Sequence, residues 1–423
     1  MSLRTPLQAS SLNVFAALTI GAAAVVIVGG VNAQSEQVTL RVAGFGAAGS
    51  VAAIKMINAQ FMQKNPGVKV EFEEVAGLQY QSILNTRFVA GDAPDVVMSN
   101  GVDFAKPWLK AGYLSDLTDQ SWVKNVIKGN RNETYLGTKK AYQFVIENAG
   151  VGLFYNKQIL DDAGIAVPQN YPQFIAAMTK LKADGKTPIS IGAKIGWGAL
   201  MPVATGIVST AYRTNPDYDE RLLNGQAKFD SPEWRTVLQR VVDWSKAGFF
   251  DPKMSLGIGD FEQAAGEFIA GRAAFLVHGS WNVDALRDSK TNKFAYGFMP
   301  FPGNPVGTKS RAIIFANANF VVNAKSKQPE ASRKYLNFWA DNIDTYLKET
   351  GGRYSSLTTS KYREVETAEF GRALSENRAS VYPVGNWDRP SFQEFFMKQM
   401  QQLLTDNNVD SVVKALDIEF NRK

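Results

Sequence analysis

Apolar residues alternate with polar ones at Val38, Leu40 and Val42, then recur three or four apart at Val51, Ile54, Ile57 and Phe61 until Asn65-Pro66-Gly67. The first spacing puts every second side chain on one face of a strand, and the second puts one stripe on a helix that Pro and Gly then stop. A second strand follows at Val68, Val70 and Phe72, then a helical stretch at Tyr80, Ile83, Leu84 and Phe88, closed by Gly91-Asp92-Ala93-Pro94, and an apolar strand over 95–98. No hairpin turn joins these strands. Alternating strand and helix with short connections predicts an α/β domain with a parallel sheet, whose ligands gather at the carboxyl ends of the strands.

The middle of the chain has a strand-like run at 151–155 and helical stretches near 172–184, 231–247 and 260–271, with no repeat of fixed period. A β-rich run over 312–322 leads into a helix over 329–340, and two more helices are expected near 390–404 and 409–421. No long Pro/Gly/Ser linker divides these parts, so the chain is expected to pass more than once between two lobes.

Before residue 37 the pattern differs. Residues 5–35 carry no charge, Arg4 precedes them, and 14–28 are almost wholly Ala, Val, Leu, Ile and Gly. This is a secretory signal pattern, and Val31-Asn32-Ala33 suits cleavage after Ala33, leaving a signal peptide at 1–33. The alternative is a retained anchor, because the apolar run nearly reaches the roughly 20 residues of a membrane span. Either way the globular part leaves the cytoplasm, and a periplasmic location is expected.

The 423 residues are 45% apolar and 20% charged, which excludes disordered and fibrous classes. The net charge of +6 is spread along the chain, so no nucleic-acid partner is indicated. The lack of cysteine removes disulfides, thiolate chemistry and cysteine-linked lipid, and the single histidine, His278, excludes a site built on two imidazoles. His278 follows Phe275-Leu276-Val277 and reads as a core or strand-end residue. The acidic Asp217, Asp219 and Glu220 read as a solvated turn without the later ligands of a calcium loop.

Gly44-Phe45-Gly46-Ala47-Ala48-Gly49 matches G-x-G-x-x-G between a predicted strand and helix, with Glu73 or Glu74 where a ribose-binding acid could lie. Against a nucleotide stands the export signal, which lacks the twin arginines that carry folded, cofactor-loaded enzymes. No cofactor is expected, and the turn could still cradle a hydroxyl or anionic group of another ligand.

Several stretches together resemble the family 1 extracellular solute-binding proteins of ABC importers. They are Phe61-Met62-Gln63-Lys64-Asn65-Pro66-Gly67-Val68-Lys69-Val70, Ala90-Gly91-Asp92-Ala93-Pro94-Asp95-Val96-Val97 and Gly152-Leu153-Phe154-Tyr155-Asn156-Lys157 with Ala163-Gly164-Ile165. Later come Phe268-Ile269-Ala270-Gly271-Arg272-Ala273-Ala274-Phe275, Gly279-Ser280-Trp281 and Met299-Pro300-Phe301-Pro302. The resemblance implies a two-lobed, periplasmic-binding-protein type II-like fold with a sugar-like ligand between the lobes and no covalent chemistry. It implies lobes at 34–147 plus 313–357 and 148–312 plus 358–423, a monomer, and delivery to the membrane permease subunits of an importer.

A sugar offers apolar C–H faces and a rim of hydroxyls, so its site needs aromatic platforms and directional polar groups. Trp281, matching a ligand-facing family position, is the leading platform, with Trp197 on an expected loop tip in Gly196-Trp197-Gly198 and Trp387 in Asn386-Trp387-Asp388 as further candidates. Polar partners are expected at Ser99 and Asn100 after a strand, Glu147 at the first crossing with Asn148 beside it, Asn317 and Asn319 at the second, and Arg353 after Gly351-Gly352, where the family's cleft-facing segment matches. Tyr80, at a helix start, is a further expected contact, whereas Asp103 is expected to cap the next helix. The competing class is a secreted glycoside hydrolase, which would share the platforms and would need two carboxyl groups about 5–9 Å apart.

Overall fold

The computed structural model describes residues 37–422 apart from 47, 76–78, 259–260, 288–289, 291 and 384–389. The expected signal segment and Trp387 lie outside the described residues, among which no helix is long and apolar enough to cross a membrane.

Among the described residues ten strands form one sheet: β1 Val38–Gly44, β2 Val68–Glu74, β3 Val96–Ser99, β4 Gln143–Asn156, β5 Thr187–Ser190, β6 Ala273–Gly279, β7 Tyr296–Met299, β8 Ala312–Val322, β9 Arg353–Tyr354 and β10 Ala379–Val381. Their order is β2-β1-β3-β8-β4-β6-β5, with β10 on β8 and with β7 and β9 on β4. The expected parallel pairing holds for β1 with β2 and β3, which the helices Ala48–Lys64 and Tyr80–Ala90 connect. It does not hold at the centre. There β8 runs antiparallel to β3 and β4, so the sheet is mixed, because the long strands cross the molecule in opposite directions.

β4 begins eight residues before the predicted strand at 151–155. It is buried along its whole length, so Glu147 and Asn148 interrupt the apolar run without ending the strand. β4 pairs with β8 from Gln143↔Val321 to Val151↔Ile313.

These two strands join two cores. In one, Leu40, Ile54, Ile57, Phe61, Tyr335, Trp339 and Phe320 pack with Phe144 and Ile146 of β4, and Phe61 meets Tyr335 edge-on at 5.3 Å. In the other, Val151, Leu153 and Tyr155 of β4 pack with Phe174, Trp234, Trp244, Phe275 and Phe396. A smaller cluster of Phe154, Phe268, Val283, Leu286, Phe298 and Phe370 also forms around β4. Side-chain caps start the helices at the far end of β4 and beyond: Asn156 accepts from the Ile159 N–H at 3.0 Å, and Asn170 from the Gln173 N–H at 3.1 Å.

Two local expectations change. The acidic turn at 217–220 opens a short helix, Tyr218–Leu223, in which Asp219 accepts the Tyr212 hydroxyl. The helix expected to be capped by Asp103 starts at Val102 with Gly101 as its N-cap.

A Cβ on Gly152 would lie 2.4 Å from the Met299 carbonyl oxygen and 2.9 Å from the Phe298 ring, where backbone cannot yield. Gly152→Ala should cost about 1–3 kcal/mol in urea unfolding. Gly266→Ala, in open space on the helix Phe261–Ile269, should leave stability unchanged or raise it by up to about 1 kcal/mol.

Candidate functional site

Around Glu147 the β4–β8 register shifts twice, and Asn317 is the extra residue of β8 between the pairs Glu147↔Ala318 and Asn148↔Ala316. Such an irregularity re-aims side chains. Asn317 Nδ2 donates to Glu147 Oε1 at 2.5 Å, and Arg353 Nε donates to the same oxygen at 3.1 Å. Arg353 also donates to the Gly351 carbonyl at 2.8 Å, to Ser50 Oγ at 3.0 Å and to Asp284 Oδ2 at 3.3 Å. β9 places Arg353 opposite Ala149 of β4. The preceding turn passes so close to Ser280 that a Cβ on Gly352, whose φ is 62°, would lie 1.9 Å from that carbonyl oxygen.

Both Arg353 and Glu147 are 2% exposed. Buried charge persists only when paired. Burial works against the Arg353 charge, but Glu147 and Asp284 outweigh it and raise its pKa. Asp284 is pushed up to about 7, first by burial and further by Glu147, against the pull of Arg353 and Arg287. The buried Tyr346 phenol is held neutral by burial and by Glu147.

Beside this knot runs a strip of rings. Trp281 stands in the single turn Ser280–Asn282 after β6, which is tied to β4 because the Gly150 N–H donates to Ser280 Oγ at 2.9 Å. The Trp281 ring folds over Gly279, where a Cβ would be 2.0 Å from it, and it lies 5.6 Å from His278 and 6.1 Å from Phe315, edge-on. Phe315 lies 5.5 Å from Tyr382, which lies 5.5 Å from Trp197. Trp197, Trp281 and Phe315 are half-buried, and the buried Tyr382 hydroxyl has no hydrogen-bond partner among the described residues. Phe315 and Asn317 share β8, so strip and knot adjoin.

On the other lobe, Ser99 Oγ donates to Gln143 Oε1 at 2.6 Å, Gln143 Nε2 to the Glu133 carbonyl at 3.3 Å and Asn319 Nδ2 to the Ser99 carbonyl at 3.3 Å. Asn319 Oδ1, Glu133 Oε2 and Thr134 Oγ1 are buried without hydrogen-bond partners among the described residues, and burial raises the Glu133 pKa. Asn130 and Asn148 exchange amide hydrogen bonds at 2.7 and 2.8 Å.

Of the sequence-predicted residues, the structure brings together Trp281, Trp197, Glu147, Asn317 and Arg353. Trp197 stands in the first turn of the helix Gly196–Thr214, not on a loop tip. Ser99 and Asn319 are bonded to each other in the buried network just described, and Asn100 is exposed past β3. Tyr80 is a correction: it sits in the core, its ring 4.7 Å from Phe45 and its hydroxyl on the Ala43 carbonyl at 3.1 Å. Phe315, Tyr382, Ser50 and Asp284 were not anticipated. Only Phe315 left a signal, as an aromatic two positions before Asn317 on a crossing strand.

The dinucleotide fingerprint is occupied from another element. Asp284 Oδ2 lies 3.2 Å from where a Gly49 Cβ would be, so this side chain stands where a pyrophosphate would approach the helix start. Glu73 and Glu74 are paired with Arg87 at 2.6 Å and Lys55 at 3.7 Å.

Two lobes joined by crossing strands, with rings and hydrogen-bonding groups at the crossing, define a solute-binding protein, and residues 47–344 match the profile of the bacterial extracellular solute-binding protein family. The chain belongs to that family. It is 23% identical over 380 residues to the multiple sugar-binding protein of Streptococcus mutans, covering 88% of this chain and 87% of that one. It is 24% identical over 350 residues to the maltodextrin-binding protein MdxE of Bacillus subtilis, covering 79% and 77%. Among solved structures, a chitin oligosaccharide binding protein superposes with a TM-score of 0.76 at 23% identity over 90% of this chain and 98% of that one. RafE in complex with raffinose gives 0.74 at 21%, over 91% and 99%. These likenesses show the two-lobed fold.

Removing one partner of the buried pair leaves the other charge uncompensated. Glu147→Ala should therefore lower unfolding stability by about 3–5 kcal/mol, and Asn317→Ala by no more than about 1.5 kcal/mol, in denaturant titrations.

Proposed function

We propose that the mature chain captures a carbohydrate between its lobes, closes on it by a hinge at β4, β8 and the 351–357 segment, and delivers it to an ABC importer without converting it. The observation that carries this reading is the aromatic strip Trp281, Phe315, Tyr382 and Trp197 beside the Glu147–Asn317–Arg353 knot. Flat rings suit the C–H faces of a pyranose, and the half-buried Asn317 amide, held by the buried Glu147, suits its hydroxyls. Sugar binding by the relatives, as their names state, supports the same ligand class.

The distribution of the cores supports lobes at 34–147 plus 313–357 and at 148–312 plus 358–423. Asn100 would meet the ligand from the first lobe, with Asn319 and Ser99 buried behind it; Trp387 would extend the strip. In this reading the chain is exported, cleaved after Ala33, and works as a periplasmic monomer whose partners are the sugar and the importer's membrane permease subunits.

Ligand contacts on both lobes can be satisfied together only when the lobes meet. A thermal-shift screen over raffinose, stachyose, maltodextrins and chitin oligosaccharides should find a sugar that raises the melting temperature, and X-ray scattering should show a smaller radius of gyration with that sugar than without it. Release of products from the sugar by the repurified protein would replace this reading with the hydrolase.

Trp281→Ala should weaken the sugar by about 1–3 kcal/mol in calorimetry with little loss of fold. Loss of stability by several kcal/mol with affinity retained would make Trp281 a packing residue and move the site elsewhere.

A further inference from the structure

Charge that is spread along the sequence is gathered by the fold in one place. Residues 121–140 hold five basic side chains, Lys124, Lys128, Arg131, Lys139 and Lys140, and one acidic, Glu133, which is buried. A second basic stretch, with Lys361 and Arg363, lies against the first: the Ile127 N–H donates to the Ser356 carbonyl at 2.9 Å, and the Thr358 N–H to the Asn125 carbonyl at 2.8 Å. Lys361 and Arg363 follow Thr358 by three and five residues, and the Arg363 guanidinium turns back onto the Tyr362 carbonyl at 2.6 Å.

Lys124, Lys128, Arg131, Lys361 and Arg363 are all exposed, and none of the five has an ion-pair partner among the described residues. The acids of these segments are engaged or sealed. Asp344 accepts the Ser360 hydroxyl and the Lys361 N–H, Glu364 is buried against Arg287, and Glu133 is buried in the first lobe. Elsewhere the surface behaves differently: Arg41, Arg87, Arg235, Arg272 and Arg333 each hold a carboxylate within 3.2 Å. Like charges collected without a counter-charge create a local positive potential that favours an anionic partner.

We propose that this patch, Lys124, Lys128, Arg131, Lys361 and Arg363, is a peripheral docking surface for the anionic headgroups of a lipid bilayer. Its composition selects that partner over a protein. Protein interfaces are built around aromatic and arginine anchors with lysine depleted, whereas three of these five cations are lysines and neither segment exposes an aromatic ring. The one large apolar side chain exposed beside them is Val365. A fluid, laterally mobile layer of headgroups needs no shape match, and a cluster of four to eight Lys and Arg is the size that binds one. The chain has no cysteine to carry a lipid, so such a surface would supply the hold on a membrane that a lipid anchor otherwise gives.

The test is co-sedimentation of the mature chain with vesicles of phosphatidylglycerol and phosphatidylcholine in about a 3:7 ratio, with pure phosphatidylcholine as reference. Each cation near the surface is worth about five-fold in partitioning, and the attraction fades within a Debye length, so the native chain should bind the anionic vesicles at about 0.05 M salt and leave them at about 0.5 M. Lys128→Gln with Arg131→Gln should weaken binding about 25-fold, with circular dichroism unchanged. Lys228→Gln with Lys414→Gln removes the same charge from exposed positions elsewhere and should change it less than about two-fold. Inorganic phosphate at constant ionic strength should not displace the chain. Equal partitioning onto neutral and anionic vesicles, an equal loss in the Lys228 and Lys414 variant, or displacement by phosphate would overturn the proposal. Binding to an oligoglutamate peptide without binding to the vesicles would overturn it in favour of an acidic protein segment. None of these outcomes bears on sugar binding, which stands or falls by the thermal-shift screen.

Discussion

The guanidinium of Arg353 is sealed from water at the point where β4, β8 and β9 meet, and it constrains everything around it. A buried cation needs carboxylates at hydrogen-bonding distance, which places Glu147 in the middle of a fully buried strand and Asp284 at the end of another element. It also needs a backbone turn tight enough to bring residue 353 against β4, which is why two glycines precede it. Its Ser50 contact ties in the first helix. Loss of this charge would leave two acids facing each other between the cores.

The same crossing explains how one continuous sheet can serve two lobes. β4 and β8 contribute apolar residues to one core at one end and to another core at the other, while their shared middle is polar and irregular in register. A regular, apolar middle would fuse the two halves into one rigid layer. The polar knot, with Asn317 bulged onto Glu147 and the Asn130–Asn148 pair nearby, replaces tight apolar packing there with hydrogen bonds, so bending costs less at this level than within either core.

In the binding proposed above, the rings and the polar groups would divide the labour. In the proposed carbohydrate site, Trp281, Phe315, Tyr382 and Trp197 would supply area and shape, which favour the faces of a sugar with little directional demand. The buried Glu147 and Arg353 would hold the half-buried Asn317 in a fixed position before any ligand arrives, so less ordering entropy would be lost on binding.

Local pattern alone determined much of this protein. The alternation at Val38–Val42, the helical spacing from Val51 to Phe61 and the Asn65-Pro66-Gly67 stop are readable because strand and helix periods reflect which side faces a core, and the strand over Ala312–Val322 stands where the pattern put it. That Trp281, Glu147, Asn317 and Arg353 stand near one crossing was also legible, through motif context, family resemblance and position along the chain. The tertiary structure decided the rest. Tyr80 has the composition and placement of a contact, yet its hydroxyl finds the Ala43 carbonyl, a choice made by residues far away in sequence. Phe315 and Tyr382 join Trp197 and Trp281 only because the chain returns to one place four times, and the acid that answers the Gly44–Gly49 turn arrives from residue 284. Periodicity records burial against a neighbour; it carries no information about which neighbour, and a cleft is made of nothing else.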